Sequence, residues 1–353
     1  MKTKCALLLV LLAAAAAAQD SAGRRKVFID QDIRGAAGTD QQSILVLLQS
    51  PEVQVLGISV TSGDGWARAG VANLLRMLEL TGHSDVPVAM GAQFPLINSQ
   101  EETRQWEAQY GELNYKGAWN ERDYIAPDAV PTPAAGAPAT RAISQHGAEF
   151  LYQVVSKYPG EVTVWAAGPL TTIALAVRLH PELPALAKEL VMMGGGINVP
   201  DGGIQQPNGR REFNWWFDPE ATRIVLSAPW KKITVTPLDI SVKTAGSTPR
   251  LRDGLAKSNS RAAKYLTQYG YRGSGGSGYM YDEIAAAAWI DPTLITNQQE
   301  LWINVDINHG ASYGQTIFVE KSVKVPSWWK LATVQFDLDT GRFYRLFLDL
   351  MQR

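Results

Sequence analysis

Cysteine is nearly absent from this chain. Its 353 residues include a single cysteine, Cys5, which precedes an apolar run near the amino terminus. A disulfide within the chain and a cysteine-based zinc site are therefore excluded, and stability must come from the hydrophobic core. Histidine is scarce as well. The four histidines are scattered without metal-ligand spacing, which favours surface or capping roles over catalysis: His83, His146, His180 and His309.

A surplus of positive charge and several short enzyme motifs are also missing. The formal net charge is -1, which argues against a nucleic-acid partner and against a polybasic membrane surface. The chain has no G-x-S-x-G elbow, no Walker loop and no H-E-x-x-H sequence, and the glycines at 194–196 lack dinucleotide-binding spacing. What remains for chemistry is a set of carboxylates and amides.

The amino terminus has the pattern of a targeting segment. Lys2 and Lys4 supply positive charge, Ala6–Ala18 is apolar, and the small residues before Gln19 offer a cleavage site. The apolar run is too short for a comfortable membrane span. We therefore predict a signal peptide over residues 1–18 and a mature periplasmic or secreted protein without membrane attachment.

The remaining residues, 19–353, are predicted to form one α/β domain. The chain is 46% hydrophobic, which suffices for a sizeable core. Short apolar strands such as Val27–Ile29 and Val162–Ala166 alternate with helices. This alternation predicts an open, mostly parallel sheet with helices on both faces. Leu301–Asp306 and Thr316–Glu320 predict a small antiparallel extension late in the chain.

Periodicity is lost between residues 98 and 138, where the sequence is charged, aromatic and rich in Pro and Ala. A stretch this long is typical of an active-site lid, or of a solvated insertion without function. Both interpretations are open, and four aromatic residues slightly favour a covering role: Trp106, Tyr110, Tyr115 and Trp119.

The stretch Val27–Ser50 combines a buried strand, an acidic loop and the start of a helix. Asp30 and Asp32 follow the strand, and Thr39 and Asp40 follow a Gly- and Ala-rich bend. Open α/β sheets bind ligands at the carboxyl ends of their strands, and carboxylates held there suit a hard cation. The alternative is that Thr39 or Asp40 simply caps the helix.

Polar residues recur at the ends of other predicted strands. Taken singly, each is more often a cap or a turn residue. As a set at one edge of a parallel sheet, they predict an oxygen-lined calcium or magnesium pocket: Asp30, Asp32, Asp40, Asp64, Asn214, Asp218, Asp239 and Asp282.

In their order along the chain, these motifs resemble those of the calcium-dependent, inosine/uridine-preferring nucleoside hydrolases. The similarity runs from Val27 to Pro292, and this colinearity is more specific than any one motif. It covers Asp30-Gln31-Asp32 with Thr39-Asp40, the sequence GPLTTIALA at 168–176, MMGGG at 192–196, EFN at 212–214 with DPEA at 218–221, and Asp282 before an Ala-rich helix.

The resemblance implies an open α/β fold, Ca²⁺ as cofactor and hydrolysis of the N-glycosidic bond of ribonucleosides. By position, Asp32, Asp40, Asp282 and the backbone carbonyl of Ala167 would be the metal ligands. A calcium ion that grips two ribose hydroxyls and a water would fix the geometry of attack. Asp32 would take the proton from that water, and nearby carboxylates would stabilise an oxocarbenium-like transition state.

The resemblance also implies a small-molecule ribonucleoside as substrate. Glu212 and Asn214 would bind the ribose hydroxyls, and Asp64 lies where the family usually has a ribose-binding asparagine. A homodimer or homotetramer is what the resemblance suggests for the assembly.

The chain departs from the family pattern D-x-D-P-G-x-D-D at its first loop. The loop is longer, contains Arg34, and has Thr39 in place of the first of two adjacent aspartates. Arg34 would weaken the metal site or bind an anionic group of the substrate. Tyr281 stands where some members carry a histidine, so the leaving base would be activated by Tyr281, or by stacking on Trp66 or another aromatic residue of the lid.

These departures leave two alternatives to a ribonucleoside hydrolase. Thr39 and Tyr281 suggest a non-catalytic protein that binds nucleosides or sugars. Arg34 suggests a hydrolase of another N-ribosyl compound.

Overall fold

A computed structural model of the chain describes residues 23–113, 115–120, 124–197, 210–271 and 278–353. The predicted signal peptide lies outside the described residues, and so does most of the Gly- and Ser-rich run 273–278, which the sequence predicts to be a flexible connection. Within them, no helix has both the length and the apolarity that crossing a membrane requires.

The centre of the fold is a nine-stranded sheet with the strand order β3-β2-β1-β4-β5-β6-β9-β7-β8. Neighbouring strands from β3 to β9 pair in parallel, whereas β7 pairs antiparallel with both β9 and β8. The predicted fold class is confirmed, including the late antiparallel extension. The strands are β1 Arg25–Gln31, β2 Val53–Val60, β3 Val88–Met90, β4 Val162–Ala167, β5 Glu189–Met193, β6 Ile233–Thr236, β7 Ile295–Val305, β8 Thr316–Glu320 and β9 Lys330–Leu338.

Thirteen α-helices connect and cover these strands in the described part of the chain. They are α1 Thr39–Gln49, α2 Ala67–Thr81, α3 Gln100–Tyr110, α4 Gly147–Lys157, α5 Thr171–Leu179, α6 Leu183–Leu186, α7 Phe213–Phe217, α8 Pro219–Ser227, α9 Leu238–Ser241, α10 Thr248–Leu255, α11 Arg261–Tyr269, α12 Asp282–Ile290 and α13 Thr340–Met351.

The sheet separates two hydrophobic cores, because successive side chains of a strand point to opposite faces. In β1, Val27 and Ile29 pack into the core that includes α1, α2, α12 and α13, and Phe28 packs into the core that includes α4, α5 and α8. Burial on both faces explains why the inner strands read as continuous apolar runs.

The parallel strands bring their carboxyl ends to one edge. Gln31, the last residue of β1, is paired with Val60 of β2 on one side and with Ala167 of β4 on the other. The loops that follow these three strands therefore leave the sheet side by side. This edge carries the candidate site.

The interpretation of residues 98–138 as a stretch without regular structure was wrong in part. Gln100–Tyr110 forms α3, with the Ser99 hydroxyl accepting a hydrogen bond from the Glu102 N–H. Only Thr103 of this helix is buried. A helix held by its cap and its charged surface, rather than by an apolar stripe, has no hydrophobic periodicity to detect.

Candidate active site

Asp32 lies at the centre of the sheet edge, one residue beyond β1. It is 2% exposed, and its Oδ2 accepts a hydrogen bond of 2.8 Å from the backbone N–H of Asp64. Gly63 and Gly168 border it, and a Cβ atom at either position would overlap the Asp32 side chain. The glycines therefore let the loops after β2 and β4 close directly onto this carboxylate.

Two further carboxylates accept hydrogen bonds from the end of β1 and the loop that follows it. Asp40 Oδ2 accepts a 2.9 Å hydrogen bond from the Arg34 N–H. Asp282 Oδ2 accepts a 3.0 Å hydrogen bond from Gln31 Nε2, and the same amide lies 3.3 Å from the Asp40 carbonyl oxygen. Gln31 therefore ties the start of α12 to the start of α1.

The helix-cap alternative for Thr39 and Asp40 was wrong. Helix α1 begins at Thr39, and its N-cap is Gly38, which supplies no side-chain cap. Thr39 instead donates a 2.5 Å hydrogen bond to Glu283.

The four acidic side chains of this edge interact electrostatically. Burial raises the pKa of Asp32 well above its usual range, and the charges of Asp64, Asp40 and Asp282 raise it further. Burial, followed by the charge of Asp40, likewise raises the pKa of Asp282. Burial raises the pKa of Asp40 to about 8 and that of Asp64 to about 6. Carboxylates from three distant stretches of the chain are thus close enough to disfavour one another's ionised form.

The donor chemistry of this group fits a hard divalent cation, because carboxylate oxygens are the ligands that Ca²⁺ and Mg²⁺ prefer. A site of mutually repelling buried carboxylates is also one that a cation would relieve. Among the described residues, however, no three His, Cys, Asp or Glu side chains stand in an arrangement that could hold a metal ion. The proximity of the acidic residues is therefore observed, and the predicted ligand set of Asp32, Asp40, Ala167 and Asp282 stays a prediction.

Glu212 and Asn214 lie at the end of β5, next to this acidic group. Glu212 is the N-cap of α7, and its carboxylate accepts backbone hydrogen bonds from Asn214 at 2.8 Å, Gly195 at 2.9 Å and Trp215 at 3.1 Å. Burial raises the pKa of Glu212 to about 7, and the charge of Asp64 adds to this. Glu212 is therefore a structural cap that also belongs to the electrostatic surroundings of the site.

Asn214 is 6% exposed, and its amide Nδ2 lies 3.4 Å from the Met193 carbonyl oxygen at the end of β5. This contact holds the side chain at the same strand end from which the loop 194–197 leaves. Its predicted contact with ribose stays a prediction.

Trp66 lies beneath the 98–138 segment. Its indole N–H donates a 2.7 Å hydrogen bond to the Ile125 carbonyl oxygen, and its ring is 4% exposed. It belongs to a small aromatic cluster that also includes Leu113, Trp119 and Trp216. Trp66 thus packs as a support for that segment, and its predicted stacking on a base is not tested by these contacts.

Arg34 and Tyr281 occupy less central positions. The side chain of Arg34 is exposed, yet its charge counteracts the rise in the pKa of Asp64. Tyr281 is half-buried against the core of α1 and α12, and its backbone N–H donates a 2.9 Å hydrogen bond to Glu283. Its predicted part in activating the leaving base stays a prediction.

Sequence reasoning missed two residues of the site. Gln31 was treated as part of a motif, although it links Asp40 and Asp282. Glu283 is 1% exposed and accepts hydrogen bonds from Thr39 and from the Tyr281 N–H. The adjacent Asp282-Glu283 pair on an otherwise Ala-rich helix was the signal that could have revealed Glu283.

Asp218 and Asp239 lie outside this acidic group. Asp218 caps α8 by accepting a 3.0 Å hydrogen bond from the Ala221 N–H, and it also accepts from Thr171 and Leu96. Asp239 accepts a 2.9 Å hydrogen bond from the Ile197 N–H. For Asp218 the cap interpretation was therefore correct.

The buried carboxyl groups predict that the stability of the fold decreases as pH rises, which is the opposite of the effect of carboxyl groups whose pKa folding lowers. Burial raises the pKa of Asp30, Glu212 and Glu283 to about 7, and that of Asp40 to about 8. The folded chain then retains protons that the unfolded chain has already released, so stability is lost as pH rises through the folded-state values. With divalent cations removed by a chelator, we expect a lower Tm at about pH 8.5 than at about pH 6.5. Calorimetry at the two pH values checks this, and a constant or rising Tm would contradict it.

The fold is shared with solved nucleoside hydrolases. The plant nucleoside hydrolase PpNRh1 superposes with a TM-score of 0.71 at 24% identity, covering 93% of this chain and 99% of that one. A purine-preferring ribonucleoside hydrolase from Gardnerella vaginalis gives a TM-score of 0.70 at 23% identity, covering 93% and 98%. The sheet and its covering helices thus have the fold of solved nucleoside hydrolases.

Sequence relatives assign the family. The family described as inosine-uridine preferring nucleoside hydrolase matches residues 27–345. A protein named probable uridine nucleosidase 2 from Arabidopsis thaliana is 31% identical over 285 residues, 77% of this chain and 80% of its own length. The inosine-uridine preferring nucleoside hydrolase of Leishmania major is 26% identical over 340 residues, 93% of this chain and 98% of its own.

The chain therefore belongs to the inosine-uridine preferring nucleoside hydrolase family. It is an N-ribosyl hydrolase, an enzyme that cleaves the N-glycosidic bond of ribonucleosides. The predicted family and enzyme class are confirmed.

Proposed function

We propose that this enzyme holds the ribose of a free ribonucleoside against the acidic edge of its sheet, with Ca²⁺ bound by Asp32, Asp40, Asp282 and the Ala167 carbonyl. One observation carries the proposal. Asp32, Asp40, Asp64 and Asp282 come from three separate stretches of the chain, yet the Asp64 N–H donates to Asp32 Oδ2 and Gln31 links Asp40 to Asp282. The charges of others in the group also raise the pKa of Asp32, Asp40 and Asp282. Such a cluster needs a cation or protons to remain folded at neutral pH.

Calcium is proposed because the family is metal-dependent and every donor offered is an oxygen. Asp32, Asp40 and Asp282 each have one carboxylate oxygen oriented by a hydrogen bond from the protein. When bound, a calcium ion would supply the positive charge that orients vicinal ribose hydroxyls and polarises a water.

The chain's own residues would divide the remaining work. Asp32, which lies at the centre of the acidic edge, would accept a proton from the attacking water as general base. Asp64, Glu212 and Asn214 would bind ribose hydroxyls. The nearby negative charge would stabilise the oxocarbenium character that develops in the sugar ring.

Activation of the leaving base is assigned to Tyr281 or to stacking on Trp66. Tyr281 is supported by its position immediately before Asp282, at the start of α12. Trp66 is supported by its position two residues after Asp64, at the start of α2. Location in the periplasm or outside the cell, and assembly as a dimer or tetramer, are likewise proposals that rest on the amino-terminal pattern and on the family.

The family relatives suggest the substrates to test first. Their names specify uridine and inosine, so we propose both nucleosides as candidates here. The positive charge of Arg34, which acts on Asp64, supports adding nucleoside 5′-monophosphates as a second group of substrates.

A ribose-release screen tests the proposal. We expect release from uridine or inosine, and at least about a hundredfold slower cleavage of the matching 2′-deoxynucleoside, because polar groups built to bind a hydroxyl lose their partner. Equal rates for the two sugars would contradict ribose recognition by Asp64, Glu212 and Asn214. Faster release of free base from the monophosphates, with ribose 5-phosphate as the other product, would favour the hydrolase of another N-ribosyl compound.

A further inference from the structure

Tyr115 of the 98–138 segment reaches the acidic edge of the sheet. Its hydroxyl donates a 2.7 Å hydrogen bond to Asp64 Oδ1. The other described hydrogen bond of Asp64 lies on its backbone, where the N–H donates to Asp32 Oδ2 at 2.8 Å. One residue is thus held between Asp32 and a tyrosine from a distant segment.

The position of Tyr115 is fixed from two further sides. Its ring packs edge-on against Phe213, with 4.9 Å between ring centroids, and Phe213 separates Glu212 from Asn214. The Ala118 N–H donates a 2.8 Å hydrogen bond to the Gly63 carbonyl oxygen. The short turn 117–119 is therefore bound to the same loop that carries Asp64.

Gly117 makes this close approach possible. Its φ is +56°, and a Cβ atom there would overlap both the Gly63 carbonyl oxygen and the Phe213 ring. An L side chain would have to adopt an unfavourable conformation and would also push the turn away. The backbone around Tyr115 is thus built for contact with the site and is not merely lying over it.

We propose that Tyr115 is a positioning residue of the active site, which orients the Asp64 carboxylate so that Oδ2 faces the ribose. The proposal rests on the proposed role of Asp64 in binding a ribose hydroxyl. It assigns one function to the 98–138 segment: this segment completes the sugar-binding side of the site. A carboxylate held by one oxygen presents the other in a fixed direction, and ribose then binds without the cost of ordering that side chain.

Replacement of Tyr115 by phenylalanine tests the proposal, because the ring contact with Phe213 is kept and only the hydrogen bond is lost. We expect KM for the best ribonucleoside to rise about tenfold with kcat within about twofold, as for the loss of a contact used in substrate binding. Tyr110→Phe is the matched control, since Tyr110 lies in the same segment and packs on Trp106. Its KM should be that of the unmodified enzyme.

Two double variants separate positioning from a structural effect. In an Asp64→Ala background, Tyr115→Phe should change KM by less than about twofold, because the carboxylate on which it acts is gone. In an Asp64→Asn background, which keeps an acceptor oxygen, part of the effect should remain. The same tenfold rise in the Asp64→Ala background would overturn the proposal, as would an unchanged KM in the single variant.

The same series distinguishes this proposal from the function on which it rests. If Asp64→Ala alone leaves KM unchanged, the proposed ribose contact of Asp64 is wrong, and the role of Tyr115 is wrong with it. If Asp64→Ala raises KM and Tyr115→Phe does not, only the role of Tyr115 is overturned.

Discussion

Replacing Asp32 by asparagine is expected to lower kcat by at least about a thousandfold. An amide has nearly the shape of the carboxylate but cannot accept the proton of the attacking water, and loss of a general base costs rates of this order. Asp32 is 2% exposed and holds the loop of Asp64 through a 2.8 Å hydrogen bond, which an amide oxygen can also accept. The variant should therefore fold, and steady-state release of ribose with saturating Ca²⁺ measures the loss.

A surface aspartate provides the control for this variant. Asp337 is 41% exposed and lies 3.4 Å from Lys243 in a surface ion pair. Asp337→Asn should leave kcat unchanged. With saturating Ca²⁺, calorimetry should show that Asp32→Asn still binds ribose within about tenfold of the unmodified enzyme, because an amide oxygen can also ligate the ion and Glu212, Asn214 and Asp64 are untouched. A kcat for Asp32→Asn within about tenfold of that of the unmodified enzyme would reject Asp32 as the base.

Removal of divalent cations is expected to lower the rate of ribose release by at least about a hundredfold. The reason is the acidic edge itself: without a cation, Asp32 and Asp282 are disfavoured as carboxylates by burial and by the charges of neighbouring carboxylates, which for both include Asp40 and Asp64. Loss of the ion would remove both the charge that orients the ribose and the ionised state of the base. Dialysis against EGTA followed by the ribose assay measures this effect.

Restoration distinguishes a bound ion from damage to the enzyme. Added Ca²⁺ should return the activity, whereas EGTA already saturated with Ca²⁺ should not lower it. The ion should also raise Tm, because a ligand that binds only the folded chain stabilises it. Asp282→Ala should abolish that rise. Full activity after exhaustive chelation would contradict a metal-dependent mechanism for this chain.

The sequence predicted the sheet because strand burial leaves a local signature. The strands β1, β2, β4 and β5 contain short apolar runs, and each is followed by small or acidic residues. Parallel pairing then places those ends at one edge, which is why the proximity of Asp32, Asp40 and Asp64 could be expected before any coordinates. Asp282 begins helix α12 and follows no strand directly, so its place there was expected from the family motifs. Colinear family motifs gave the order of these elements.

Elements and contacts that depend on tertiary packing could not be predicted from the sequence, because they leave little pattern in it. Strand β9 was not predicted. Five of its nine residues are only half-buried, and its place between β6 and β7 depends on pairing with two strands from different parts of the chain. Helix α3 has no apolar stripe. Hydrogen bonds between residues more than two hundred positions apart, such as Gln31 to Asp282 and Thr39 to Glu283, have no periodic trace in the sequence.

The 98–138 segment shows the same limit. Its aromatic residues suggested a covering role, but the sequence did not indicate which of them reaches the site. Trp119 stacks on Phe217 with 4.2 Å between ring centroids and stabilises the packing, whereas Tyr115 binds Asp64. Tyr115 reaches the site because Gly117 adopts a positive φ and because the Ala118 N–H donates a hydrogen bond to the Gly63 carbonyl oxygen.

A crystal structure with Ca²⁺ and ribose tests the central claim most directly. The account predicts one ion with oxygens of Asp32, Asp40 and Asp282 at about 2.3 to 2.6 Å, and two ribose hydroxyls on the same ion. An ion bound elsewhere, or a ribose held at this edge without any cation, would contradict it.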